Sequence, residues 1–105
     1  MSRVEHWDPG WGPLNEKNVR QRLEGEGYHV QRYSYPPGTY FSEHTHKLDK
    51  KDAVLEGRLQ IETDDGTFLL GAGDIIEISA GISHSAEVVG QETVLSLDAT
   101  RIARG

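Results

Sequence analysis

The chain has 105 residues, a formal charge of −6 from 17 acidic and 11 basic side chains, five histidines and no cysteine. That length suits one domain with one compact core. An acidic balance without a basic stripe excludes nucleic acid and anionic membrane as expected partners, and the lack of cysteine excludes a disulfide framework, a thiolate metal site and a cysteine nucleophile.

Residues 1–13, "MSRVEHWDPGWGP", have neither a period nor the apolar stretch of a secretory signal, and no later run is long enough for a membrane-spanning helix. A cytoplasmic protein is therefore expected. The segment reads as an irregular arm, with Trp7 and Trp11 on the domain surface or against a partner subunit. "LNEKNVRQRLEGEG" predicts one short helix, capped by Asn15 and with Asn18 as an alternative local bonder. Leu14, Val19 and Leu23 form its apolar stripe, and Gly25 and Gly27 end it. Residues 1–27 thus form an arm and helix packed on a β-domain spanning 28–105.

Strands and turns follow. "YHVQRYSY" (28–35) is rich in β-formers and is stopped by "PPG". "YFSEHTH" alternates weakly. "DAVLEGRLQIET" (52–63) has strand composition with a break at Gly57. "DDG" (64–66) predicts a tight turn into "TFLL", and "GAGD" (71–74) a turn into "IIEIS". After "AG" (80–81) come "ISHSAEVV" and "ETVLSLDAT". Turn signals every eight to ten residues, with no helical period between them, predict an all-β sandwich or barrel and exclude a βαβ sheet. Gly57, Gly73 and Gly81 fit turn geometry. Glu56 and Glu77 are expected to face solvent or pair with Arg58.

The histidines carry the chemical signal. His44 and His46 are two apart, so on a strand their rings share a face. His84 lies in the second half and joins them only if antiparallel closure brings distant strands together. His6 and His29 lack partner spacing and read as structural. Tyr33, Tyr35, Tyr40 and Phe41 are candidates for a cavity mouth, or simply for packing. No G-x-S-x-G turn accompanies Ser83 or Ser85, and "GAGD" is too short for a phosphate loop.

Two stretches resemble the motifs of the cupin family. Gly38, five residues, His44-Thr45-His46, three residues, Lys50, six residues and Gly57 reproduce the first motif's spacing, with Lys50 where the family has Glu. Gly73, five residues, Ser79-Ala80-Gly81, two residues, His84, three residues and Val88 follow the second, with Ser79 replacing Pro and Val88 replacing Asn. The resemblance covers roughly residues 28–99. It implies a double-stranded β-helix, a jelly-roll barrel of two antiparallel sheets. It also implies a divalent metal ion held by His44, His46 and His84, and a homodimer for which the arm and "AVL" (53–55) are interface candidates.

Lys50 leaves three readings open. A three-histidine centre keeps open positions for water or substrate, as in cupin-like thiol and diketone dioxygenases. Imidazoles suit iron, manganese, zinc, nickel or copper alike. Alternatively Asp52, two residues on and of the same parity, replaces the Glu, although it reads better as an ion-pair partner of Lys50. In the third reading no metal binds, and Lys50 points inward as a cation for a small anionic ligand or simply reaches solvent. The expected function is a metal-dependent small-molecule enzyme of dioxygenase or isomerase type, with Lys50 and Asp52 in orienting or proton-transfer roles. A non-catalytic ligand-binding or sensory barrel, and a purely structural one, are the alternatives.

Overall fold

Alternating apolar and polar residues build strands that pair antiparallel throughout. The computed structural model describes residues 2–103, so the outermost residues of the expected arm (Met1) and barrel (Arg104, Gly105) lie outside the described residues. In chain order the elements are β1 (Ser2–His6), a 3-10 turn (Pro9–Trp11), α1 (Glu16–Gly25), β2 (Tyr28–Tyr35), β3 (Tyr40–His44), β4 (Lys50–Glu56), β5 (Arg58–Thr63), β6 (Gly66–Leu70), β7 (Asp74–Ile78), β8 (His84–Val89) and β9 (Val94–Arg101). One sheet has the order β1-β7-β4-β9-β2 and the other β3-β8-β5-β6. This is the expected mostly-β jelly roll of two antiparallel sheets with a short N-terminal helix.

Strand parity divides the interior into two layers. On one face of the larger sheet, Ala53, Ile75, Leu97 and Ala99 pack with Tyr28 and Val30 against Val19 and Leu23 of α1. On its other face, Val54, Ile76, Ile78 and Val94 meet Leu59, Ile61, Leu70 and Val88. The helix starts where Asn15 Oδ1 accepts the Asn18 N–H at 2.8 Å. Asn18 also bonds locally, its Nδ2 donating to Pro13 O at 2.8 Å. Val19 and Leu23, one turn apart, are fully buried, whereas Leu14 lies before the helix and is exposed.

Gly57 lets the chain pass from one sheet to the other. Its φ is +79°, and a Cβ there would stand 2.7 Å from Thr93 O, so both the backbone conformation and the close approach require glycine.

Four expectations are corrected. The arm is not wholly irregular: Ser2–His6 pairs with β7 along its full length, because the edge of β7 would otherwise leave its backbone groups unpaired. Trp7 and Trp11 are half-buried within the chain. They meet edge to face at 5.3 Å, Trp7 packs on the helix-side core, and the Arg22 guanidinium lies 3.3 Å over the Trp11 ring. "AVL" is no interface, because β4 lies between β7 and β9 and Ala53 and Val54 are buried in the protein's own core. Glu77 pairs with Arg3 at 3.4 Å, since β1 sets Arg3 opposite it, and not with Arg58.

Candidate metal centre and its chamber

β3 ends at His44 and β8 begins at His84, and the two residues face each other directly in the antiparallel register. His46 lies beyond the end of β3, so the shared-strand expectation for the pair is corrected: a loop, not strand parity, aims its ring. Backbone bonds hold that loop. Gly81 N–H donates to His46 O at 2.9 Å, and Ala80 N–H donates to Asp49 Oδ1 at 2.7 Å. The three rings converge, with centroids 4.4 Å (His44–His84), 4.8 Å (His44–His46) and 5.1 Å (His46–His84) apart.

Hydrogen bonding sets two tautomers. His44 Nδ1 lies 2.6 Å from Ser42 O and His84 Nδ1 lies 3.0 Å from Ile82 O. A carbonyl only accepts, so each Nδ1 carries a proton, which leaves Nε2 as the atom through which each ring could hold an ion. The Nε2 of His46 is buried without a hydrogen-bond partner. Burial, the Lys50 ammonium and the other two imidazoles push His46 down to about 4, and burial lowers His84 as well. Neutral imidazoles are what a metal ion requires. Ligand-capable atoms of the three histidines lie within 4.8 Å of one another. An orphaned buried lone-pair nitrogen beside two oriented imidazoles fits a divalent ion, and carbonyl-bonded Nδ1 groups are the usual outer support of such ligands.

The histidines occupy one side of a chamber of about 210 Å³, with Lys50, Asp52, Asp98 and Tyr35 opposite and Leu59 and Ile61 forming its apolar wall. Lys50 points inward. Its Nζ lies 3.5 Å from Asp52 Oδ1, and the two side chains are only 13% and 12% exposed, which eliminates the solvent-facing reading of Lys50. The contact is an ion pair without a well-formed hydrogen bond, so Asp52 Oδ1 retains free acceptor capacity. Asp52 also faces Asp98 across β4 and β9. Burial first, and Asp98 second, raise the Asp52 carboxyl to about 7. Asp98 itself accepts from Tyr35 Oη at 2.7 Å and Ser96 Oγ at 2.6 Å. Burial and these acids also push the Tyr35 phenol up.

The structure thus gathers His44, His46, His84, Lys50 and Asp52 into one chamber, and Tyr35 and Phe41 line it as expected. Tyr40 does not, being 61% exposed. Asp98 and Ser96 were not singled out in the sequence. The available signal was an acid between the apolar Leu97 and Ala99 in "LSLDAT", a polar position on a strand whose other face buries Leu97 and Ala99. The His6 ring contacts the Asp74 carboxylate beside an open groove of about 580 Å³. That groove lacks the converging donors of the smaller chamber.

Comparison with known proteins agrees with this geometry. The family model for the cupin domain matches residues 31–100. No curated protein matches the chain in sequence. A structure of unknown function from Rhizobium leguminosarum bv. viciae is 28% identical, with 72% of this chain and 71% of that one covered and a TM-score of 0.64. A conserved protein of unknown function from Streptococcus pyogenes is 23% identical over 75% of this chain and 68% of that one, with a TM-score of 0.66. Acireductone dioxygenase from Bacillus anthracis, solved with a cadmium ion in its active centre, has a TM-score of 0.74 at 19% identity, with 99% of this chain and 80% of that one covered. On the match across most of its β-domain, this chain belongs to the cupin family.

Proposed function

We propose that the protein is a metal-dependent enzyme of the dioxygenase or isomerase type, acting on a small polar molecule. The observation that carries this reading is the convergence of three imidazoles, one with a buried, unpartnered Nε2, on the wall of one chamber. His44, His46 and His84 would hold the ion, which when bound supplies Lewis-acid polarisation of a substrate oxygen or a site for oxygen chemistry. A solved relative by fold, acireductone dioxygenase, supports the class without naming the substrate.

The remaining steps belong to the chain's own side chains. Lys50 presents a cationic donor to a substrate oxygen. Asp52, raised toward neutrality by burial and Asp98, holds a proton at a carboxyl oxygen facing the chamber and can give or take it near neutral pH. Tyr35 and Ser96 fix Asp98 in place. Leu59, Ile61 and Phe41 exclude water from the apolar side.

Metal analysis of untagged protein purified without chelator tests this directly. One ion per chain is expected, lost in both His44→Ala and His84→Ala variants that remain folded. A folded wild type that takes up no ion on repeated reconstitution overturns it. A second reading, a non-catalytic ligand-binding barrel, is favoured by one observation: the lysine standing where the family motif has a carboxylate. Ion binding without turnover across thiols, diketones and hydroxy acids would support it.

A further inference from the structure

The chamber does not end at its mouth. In β2, His29, Gln31 and Tyr33 face Thr100, Asp98 and Ser96 of β9, respectively. Cross-strand partners share a face, so these three β2 residues lie on the same face as Asp98, the face that lines the chamber. They are nevertheless exposed. β2 and β3 are edge strands of the two different sheets, and the gap between them leaves this stretch of β2 uncovered. A groove of about 490 Å³ lies there. His46, Lys50, Asp98, Tyr35 and Phe41 line both it and the chamber, making one continuous cavity with an inner and an outer part.

The outer part has a built wall. The Tyr33 ring is nearly parallel to that of Tyr35, at 11° and 6.0 Å between centroids. Its hydroxyl donates to Gln31 Oε1 at 2.6 Å, which holds the ring in place. Tyr33 is 41% exposed, a large aromatic surface with no packing partner over its outer part among the described residues. The inner chamber is small. At roughly 30 Å³ per water-sized unit, about 210 Å³ accommodates a head group of about seven non-hydrogen atoms. A larger ligand must extend over Tyr33. Lys50, on the wall of both parts, is the cationic donor within reach of such a head group.

We propose that the groove is an outer subsite of the same cavity, built to take an elongated acid: its oxygen-bearing head lies in the chamber beside Lys50, and its planar substituent stacks on Tyr33. The inference rests on the chamber being a ligand site and adds to it the class of ligand. His29, read from the sequence as structural, becomes a rim residue, and Tyr33 becomes the residue that sets specificity.

Calorimetric titration of the protein with pyruvate and phenylpyruvate, which share a head and differ by a ring, tests it. Phenylpyruvate is expected to bind about five- to tenfold more tightly, the usual worth of one aromatic contact. Tyr33→Ser, a change at an exposed position, is expected to erase that preference and leave pyruvate affinity unchanged, while Tyr33→Phe keeps it. Equal affinity for the two acids in the wild type, or a preference that survives in Tyr33→Ser, overturns the outer subsite and leaves the chamber reading standing. Failure of both acids to bind overturns the elongated acid as the ligand, while metal analysis still decides the reading of the chamber.

Discussion

The two faces of β4 place neighbouring lysines in opposite situations. Lys51, on the helix side, is 7% exposed. Its Nζ sits 2.9 Å from Glu26 Oε1 and 3.6 Å from Glu5 Oε1. Burial opposes its charge, but the hydrogen bond to Glu26 and the fields of Glu26 and Glu5 outweigh burial and raise its pKa. The Tyr28 ring lies 5.6 Å away. Lys50, one residue earlier and facing the chamber, has one partner at 3.5 Å, and that partner keeps an oxygen without a hydrogen bond. On the helix side the Lys51 ammonium is met by two carboxylates and serves the fold. The chamber side leaves His46 Nε2 and Asp52 Oδ1 without partners, at a cost in stability that makes sense only if something else meets them.

The largest expected effects separate these faces outright. His84→Ala should weaken ion binding by more than about a hundredfold, since even outer supports of metal ligands are worth 10- to 100-fold, and should move the melting temperature little. Leu23→Ala, on the helix side, should do the reverse: a loss of about 3 kcal/mol in urea unfolding with ion affinity intact. An unfolded His84→Ala protein would break the division between the two faces.

Smaller effects sharpen it. Lys51→Met should cost about 2 kcal/mol, because it strands two partly buried carboxylates. Lys50→Met should cost less than about 1 kcal/mol, because Asp52 can take up a proton instead. Paired denaturation curves at neutral pH would check both, and equal losses would contradict the contrast.

The pH dependence is subtler, because two chamber groups work against each other. His46 titrates at about 4 in the folded protein against an ordinary 6.5. As pH falls from 6.5 to 4 the unfolded chain gains this proton first, so acid removes stability across that window. Asp52 titrates at about 7 against an ordinary 3.8. Its contribution is whole below 3.8 and is lost as pH rises toward 7, because the unfolded chain ionises first. Each slope is at most about 1.4 kcal/mol per pH unit. In the wild type they offset between pH 4 and 6.5. Asp52→Asn should therefore steepen the acid loss of stability, and His46→Gln should produce a profile that falls as pH rises from 4 to 7. Melting temperatures at half-unit pH intervals would resolve the two.

Much of the architecture was legible in local chemistry. The β2 boundaries, the break at Gly57, the turns before β6 and β7 and the Asn15 cap all follow from residues whose backbone or hydrogen-bonding preferences act within a few positions. The three histidines were legible through spacing and resemblance. β1 was not, because "SRVEH" is too short and mixed to declare itself and becomes a strand only by pairing with β7, more than sixty residues away. Asp98 was equally hidden, since its role depends on facing Asp52 from another strand.

Sequence alone determined which residues could share a face, where the chain must turn and which side chains had the chemistry to hold an ion. Tertiary structure alone decided which face became the interior. Only the packing of α1 on one side of the larger sheet and of the second sheet on the other turned Lys51 into a structural clamp and Lys50 into a chamber wall. The physical reason is that alternation along a strand has two equivalent phases, and long-range burial chooses between them.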